Sequence, residues 1–227
     1  MINEMIQFDS ICVSIGEQTY SGVIAALEKV GFAEIRLDVS RITSSEIRTV
    51  FSSGKQLVAT CREGFYNRNE RLDRLIEAVR AGATFVDVET EADEDFRKTI
   101  AEQARLNNCK LILSYHNFEA TPSLPEMCNI VDTCKKQDAD LVKLVTTAKN
   151  KSDASRVLSL YDKYPDDTSL IAFAMGAAGL ITRLACVFLG APYTYAAVSD
   201  DKPLASGQIS VEKIKNVMNT LELKINE

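Results

Sequence analysis

The feature that most constrains this sequence is an alternation repeated eight times. A short β-branched or apolar run is followed by a longer amphipathic stretch. The strand-like runs are 10–15, 33–39, 56–62, 85–90, 110–116, 140–146, 170–175 and 193–198. The helix-like stretches between and after them are 19–30, 44–52, 69–81, 92–107, 123–137, 151–164, 178–189 and 211–223. A strand that returns through a helix pairs in parallel with the next strand, so the pattern predicts a parallel α/β architecture. Eight such units in 227 residues match a minimal (β/α)8 TIM barrel. With 10 glycines, 5 prolines and no low-complexity linker, a single barrel domain over 1–227 is expected. The alternative is a doubly wound open sheet, which normally binds its ligand at a glycine-rich first turn. The first turn here, Ile15-Gly16-Glu17-Gln18-Thr19, has one glycine, which favours the barrel.

Composition narrows the partners. Lys and Arg number 26 against 32 Asp and Glu, a net charge of −6 with pI near 5.0. Such a chain lacks the basic field that nucleic acid or an anionic membrane surface requires. The longest apolar stretch, 170–189, is interrupted by Gly176, Gly179 and Arg183, which argues against a membrane span. No basic segment leads into an apolar one at the N-terminus, so a cytoplasmic protein with reduced thiols is expected. Six cysteines without a C-x-x-C pair, and a single histidine, disfavour zinc.

In a barrel, chemistry sits at the carboxyl ends of the strands. Period two puts Glu34, Arg36 and Asp38 on one face of the second strand, opposite Ala33, Ile35, Leu37 and Val39. The apolar face must meet the helices, so the charges point into the barrel. There they either form an ion-pair ladder or meet a ligand. The third strand ends with Arg62, and Glu63 opens its loop. The fourth carries Asp87 and Glu89 inward as acceptors, a structural role by default. The only histidine, His116, ends the fifth strand, where a general acid/base would stand. Lys143 lies mid-strand among Val142, Leu144 and Val145. Lysine is rarely buried without a partner or a task. It is therefore either paired with Glu89 or Glu34, or a nucleophile for imine chemistry on a carbonyl. After the seventh strand come Gly176, Gly179 and then Arg183, a fork suited to a carboxylate. The polar loop 199–210 after the eighth strand reads as a lid.

Taken in order, the patterns Glu34-x-Arg36-x-Asp38, Cys61-Arg62-Glu63-Gly64, Ser114-Tyr115-His116-Asn117-Phe118, Val142-Lys143-Leu144, Met175-Gly176-x-x-Gly179-x-x-Thr182-Arg183 and Gly207-Gln208-Ile209 resemble type I 3-dehydroquinate dehydratases, the Schiff-base-forming class. The resemblance spans essentially the whole chain. It implies Lys143 as the imine-forming lysine, His116 as the general acid/base and Glu63 as the loop glutamate that assists it. It implies Glu34, Arg36, Arg62 and Gln208 as contacts to ring hydroxyls or carboxylate, and Arg183 as the carboxylate clamp. It further implies a homodimer that dehydrates 3-dehydroquinate to 3-dehydroshikimate in the shikimate pathway, with no metal or cofactor. Phe65 stands where the family usually has a second glycine. Leu204 stands where it often has a serine, and Ser206 is the nearby hydroxyl that substitutes for it. Two other functions fit the bare residues: a class I aldolase or transaldolase barrel, and a non-catalytic ligand-binding barrel.

Overall fold

The computed structural model describes residues 10–165 and 167–220. Its strands are β1 (Ile11–Ile15), β2 (Phe32–Arg36), β3 (Gln56–Thr60), β4 (Phe85–Glu89), β5 (Lys110–His116), β6 (Leu141–Thr147), β7 (Leu170–Met175) and β8 (Thr194–Ala197). The helices are α1 (Tyr20–Leu27), α2 (Ser44–Phe51), α3 (Arg68–Arg80), α4 (Glu94–Leu106), α5 (Leu124–Lys136), α6 (Lys151–Leu158), α7 (Leu160–Lys163), α8 (Leu180–Phe188) and α9 (Val211–Thr220). Every expected strand and helix is present. The expected helix over 151–164 is divided at Ser159 into α6 and α7, and the end of the one expected over 211–223 lies outside the described residues.

Local chemistry explains the boundaries. Thr43, Asn67 and Ser123 open α2, α3 and α5 through reciprocal bonds with Glu46, Glu70 and Glu126, each satisfying two otherwise orphaned backbone groups. Past the ends of α4 and α5, Asn108 and Asp138 take positive φ (54° and 57°), a conformation these side chains tolerate. β2 and β3 stop two or three residues earlier than their sequence patterns suggest. Beyond Arg36 the chain turns, and the Leu37 amide bonds the carbonyls of Ile35 and Thr60.

All pairings are parallel, in the order β7-β6-β5-β4-β3-β2-β1-β8. The barrel is closed by ladders except at the β7–β8 seam, where the rings of Phe173 and Tyr195 face each other at 6.3 Å. Alternation holds along the strands. Ile35, Val86, Val88, Val142 and Leu144 pack outward in the main apolar cluster, while Glu34, Asp87 and Lys143 lie buried on the opposite face. Phe32, Phe85 and Tyr193 plug the amino-terminal end of the barrel, with Phe32 and Tyr193 edge to face at 4.8 Å. The polar interior therefore stands on an aromatic floor and opens only at the carboxyl ends.

Candidate active site

A cavity of about 530 Å³ opens at that end. It is lined by eight of the nine residues singled out from the sequence, namely Glu34, Arg36, Arg62, Glu63, His116, Lys143, Arg183 and Gln208. Ser206 is the exception. Its side chain is exposed, and it meets the site only through its carbonyl, which accepts from Arg183 Nη2 at 3.4 Å. Leu204 and Ala205 line the cavity in its place. The lid turns at 205–208, where the Gln208 backbone amide bonds the Ala205 carbonyl, and Ser206 sits at the exposed corner of that turn.

Lys143, 5% exposed, owes its position to β6. Its Nζ lies 3.1 Å from Asp87 Oδ2 and 3.7 Å from Glu34 Oε1, above the ring of Tyr195 at 4.0 Å. Asp87, and not Glu89, is thus the main partner from β4. Asp87 also accepts from Ser114 Oγ at 2.6 Å and pairs with Arg62 Nη2 at 2.8 Å. Burial alone would raise the Asp87 carboxyl, but Arg62 and then Lys143 outweigh it and hold it well below the usual range. Glu34 is fixed by the Thr60 hydroxyl at 2.9 Å. Arg36 gives its fork to Asp38, at 3.0 and 2.6 Å.

In the β5–β6 register Ser114 stands beside Lys143 and His116 beside Val145, so His116 lies two residues closer to the mouth than the amine. Its ring stacks on Phe118 at 6.0 Å. Burial, with the cations Arg62 and Lys143 nearby and against the pull of Asp87, pushes its pKa well below 6.5. The imidazole is therefore neutral at pH 7, the state a base requires. Glu63 departs from the expectation that it assists this histidine. Its carboxylate is 83% exposed and pairs with Arg71 at 3.3 Å. Arg71 is a buried α3 arginine that also bonds Glu89 at 3.1 Å and the Cys61 carbonyl at 2.9 Å. Glu63 directly follows Arg62 past the end of β3, so it stands on the rim of the cavity with most of its carboxylate in solvent.

Arg183 is 1% exposed, yet no carboxylate among the described residues pairs with it. Its guanidinium lies over Phe173 at 4.4 Å and its Nε has no hydrogen-bond partner. Burial pushes its pKa down to about 10. A buried cation without a counter-charge carries an uncompensated desolvation cost, which an anion would relieve.

The sequence reasoning left out Ser14, Phe173, Met175 and Tyr195, which also line the cavity. Ser14, the one polar residue of β1, carried an inward signal, whereas β7 is apolar and buried throughout and does not mark which face meets the cavity. Arg71 carried no comparable signal, because a helix arginine reads as solvated.

Comparison with known proteins agrees with this geometry. Residues 11–225 match the type I 3-dehydroquinase family. The 3-dehydroquinate dehydratase of Desulfotalea psychrophila is 33% identical over 217 residues, covering 91% of this chain and 96% of that protein. The 3-dehydroquinate dehydratase of Dehalococcoides mccartyi is 32% identical over 219 residues, covering 93% and 95%. The barrel superposes with TM-score 0.83 and 23% identity on the crystal structure of type I 3-dehydroquinate dehydratase from Clostridium difficile with covalently modified comenic acid, covering 95% of this chain and 93% of that one. The chain belongs to the type I 3-dehydroquinase family.

Proposed function

We propose that the chain carries out the dehydration of 3-dehydroquinate that its family performs in the shikimate pathway, through an imine on Lys143. The observation that carries this reading is the coexistence, in one cavity, of a buried amine, a neutral imidazole and an unpaired buried guanidinium. A substrate with a ketone, an acidic neighbouring carbon and a carboxylate uses all three. The family match sets aside the aldolase and ligand-binding alternatives.

In this reading the substrate carboxylate takes the Arg183 fork, which fixes the ring and makes the later steps effectively unimolecular. The Lys143 amine adds to the ring ketone and the carbonyl oxygen leaves as water, giving a protonated imine. His116 removes a proton from the adjacent carbon, and the electron pair moves toward the imine nitrogen to give an enamine. The enamine pair then expels the hydroxyl from the next carbon. The His116 imidazolium returns its proton to that hydroxyl, which leaves as water and regenerates the neutral base. Hydrolysis of the imine restores the free amine and releases 3-dehydroshikimate. Glu34, Arg36 and Arg62 face the cavity as contacts to ring hydroxyls or carboxylate, and Gln208 lines it from the lid, where its side-chain amide bonds Leu204 and Ser14. Glu63 stands at the rim, paired with Arg71, and takes no proton in this scheme. A cytoplasmic homodimer completes the proposal, and sedimentation equilibrium tests its oligomeric part.

Borohydride reduction with 3-dehydroquinate, followed by intact mass, tests the imine. The expected result is one stable adduct on the parent protein and none on Lys143→Ala. That variant should also lose roughly 10⁴-fold or more in kcat, the scale of removing a nucleophile. An adduct on the variant would move the imine to another lysine.

A further inference from the structure

We propose that Leu204 is the positioning residue that shuts the lid, seated on Gly16, and that it closes the barrel by shape without help from the ligand. The inference rests on the dehydratase reading of the cavity for its kinetic arm only.

The lid runs from 199 to 210 and meets the end of β1 and the turn after it at three levels. Leu204 packs on Gly16 so closely that a Cβ there would lie 2.5 and 2.8 Å from its two Cδ atoms. Gly16 does not occupy the left-handed region, so its lack of a side chain serves this contact and not the backbone. Gln208 then locks the seat: its Oε1 accepts from the Leu204 amide at 2.8 Å, and its Nε2 donates to Ser14 Oγ at 3.1 Å. At the rim, Lys202 Nζ reaches Glu17 Oε1 at 2.5 Å. On the other side, Gly207 (φ 71°) rests against Gly176 of the β7–α8 turn, leaving 3.3 Å between an added Cβ and the Gly176 carbonyl.

These bonds involve protein groups alone. Leu204 also lines the cavity, where an isobutyl group neither donates nor accepts. A hydroxyl at this position would tie closure to a polar group of the ligand. Leucine ties it to the empty space at Gly16. The closed state is then formed before binding, which removes the ordering cost of closure from the binding step. Disturbing the seat should therefore weaken binding more than it slows chemistry.

The seat has a reciprocal test, because a methyl group on residue 16 and the isobutyl of residue 204 compete for one volume. Four proteins are compared: the parent, Gly16→Ala, Leu204→Ala and the double variant. Their KM and kcat for 3-dehydroquinate are measured, together with hydrogen exchange of the 199–210 segment without ligand. Each single variant should raise KM about tenfold with kcat within about twofold, and its lid should exchange faster. In the double variant the added methyl fills the vacated space, so KM should return to within about threefold of the parent and protection should recover. Multiplied single effects in the double variant, or a parent lid that exchanges as fast as that of Gly16→Ala, would overturn the proposal. If all four proteins lack dehydratase activity while the exchange pattern holds, the function reading fails and the seat stands.

Discussion

Lys143 and Arg183 are cations of one cavity, both nearly fully buried, yet their surroundings differ. On the β2–β6 wall every charge has an answer. Lys143 meets Asp87 and Glu34, Asp87 meets Arg62 and Ser114, and Arg62 approaches Glu89 at 3.5 Å. At the β7–β8 seam, Arg183 has an aromatic ring and one carbonyl but no carboxylate among the described residues. A compensated network holds its groups in place before any ligand arrives, which is preorganisation. An uncompensated cation raises the energy of the empty site and is relieved by an anion of the right shape. Under the proposed mechanism the two halves divide the work: the paired wall would set up the chemistry and the seam would select the substrate.

The largest expected effect that tests this division is on His116, which belongs to the wall. His116→Ala should leave the borohydride adduct on Lys143 while kcat falls by about 10² to 10⁴-fold, toward the upper end because one group serves two proton transfers. Normal turnover in the folded variant would remove His116 from the reaction and turn attention to Tyr115.

Next comes a contrast of the two sides. Arg62→Met takes from Asp87 and from Glu89 one of the two cations each pairs with, leaving Lys143 and Arg71, and losing a buried partner costs up to about 3–5 kcal/mol, or roughly 6–20 °C in Tm at this chain length. Arg183→Met strands nothing, so Tm should hold or rise. Binding reverses the order of importance at the seam: loss of the carboxylate fork should cost about 2–5 kcal/mol, mostly as a higher KM. A thermal melt and a Michaelis curve on each variant decide it. Equal loss of stability from both would end the distinction.

A smaller effect lies in the pH profile. The imidazole of His116 is a better base when neutral, and its pKa is depressed below 6.5 by burial and by Arg62 and Lys143. The acid limb of kcat/KM should accordingly fall below pH 6.5. Stability follows the same sign. The unfolded histidine takes up a proton near its ordinary value and the folded one does not, so the contribution is complete above pH 6.5 and is lost as pH falls toward the depressed value. A limb above 6.5 would mean that a carboxylate reaches the ring after all.

The smallest effect belongs to the lid rim. The Lys202–Glu17 pair is half-exposed on the lysine side, and such pairs contribute about 0–1 kcal/mol. Lys202→Ala should leave KM within about twofold. A larger rise would shift lid closure from the Leu204 seat to this ion pair.

Much of this site was legible in the chain. The inward positions of Glu34, Asp87, His116 and Lys143 follow from alternation in β2, β4, β5 and β6, because the helix layer accepts only the apolar face. Arg183 and Gln208 were found by motif. The directions of the Glu63 and Ser206 side chains were not legible, because both lie in loops, where no period dictates which way a side chain points. Pocket residues on β7 and β8 obeyed the same period as the rest, but apolar Phe173 and Met175 look alike whether they face helices or substrate.

The sequence by itself determined the elements and their faces, since hydrophobic period and caps act within a few residues of where they are written. Tertiary structure decided the partners. Asp87 rather than Glu89 meets Lys143, Arg71 captures Glu63, and Gly16 receives Leu204. Asp87 and Lys143, and Gly16 and Leu204, lie far apart in the chain, while Glu63 and Arg71, eight residues apart, meet across the loop that joins β3 to α3. Their meeting depends on the stagger between neighbouring strands and the path of the loops above them, which arise only when the barrel closes.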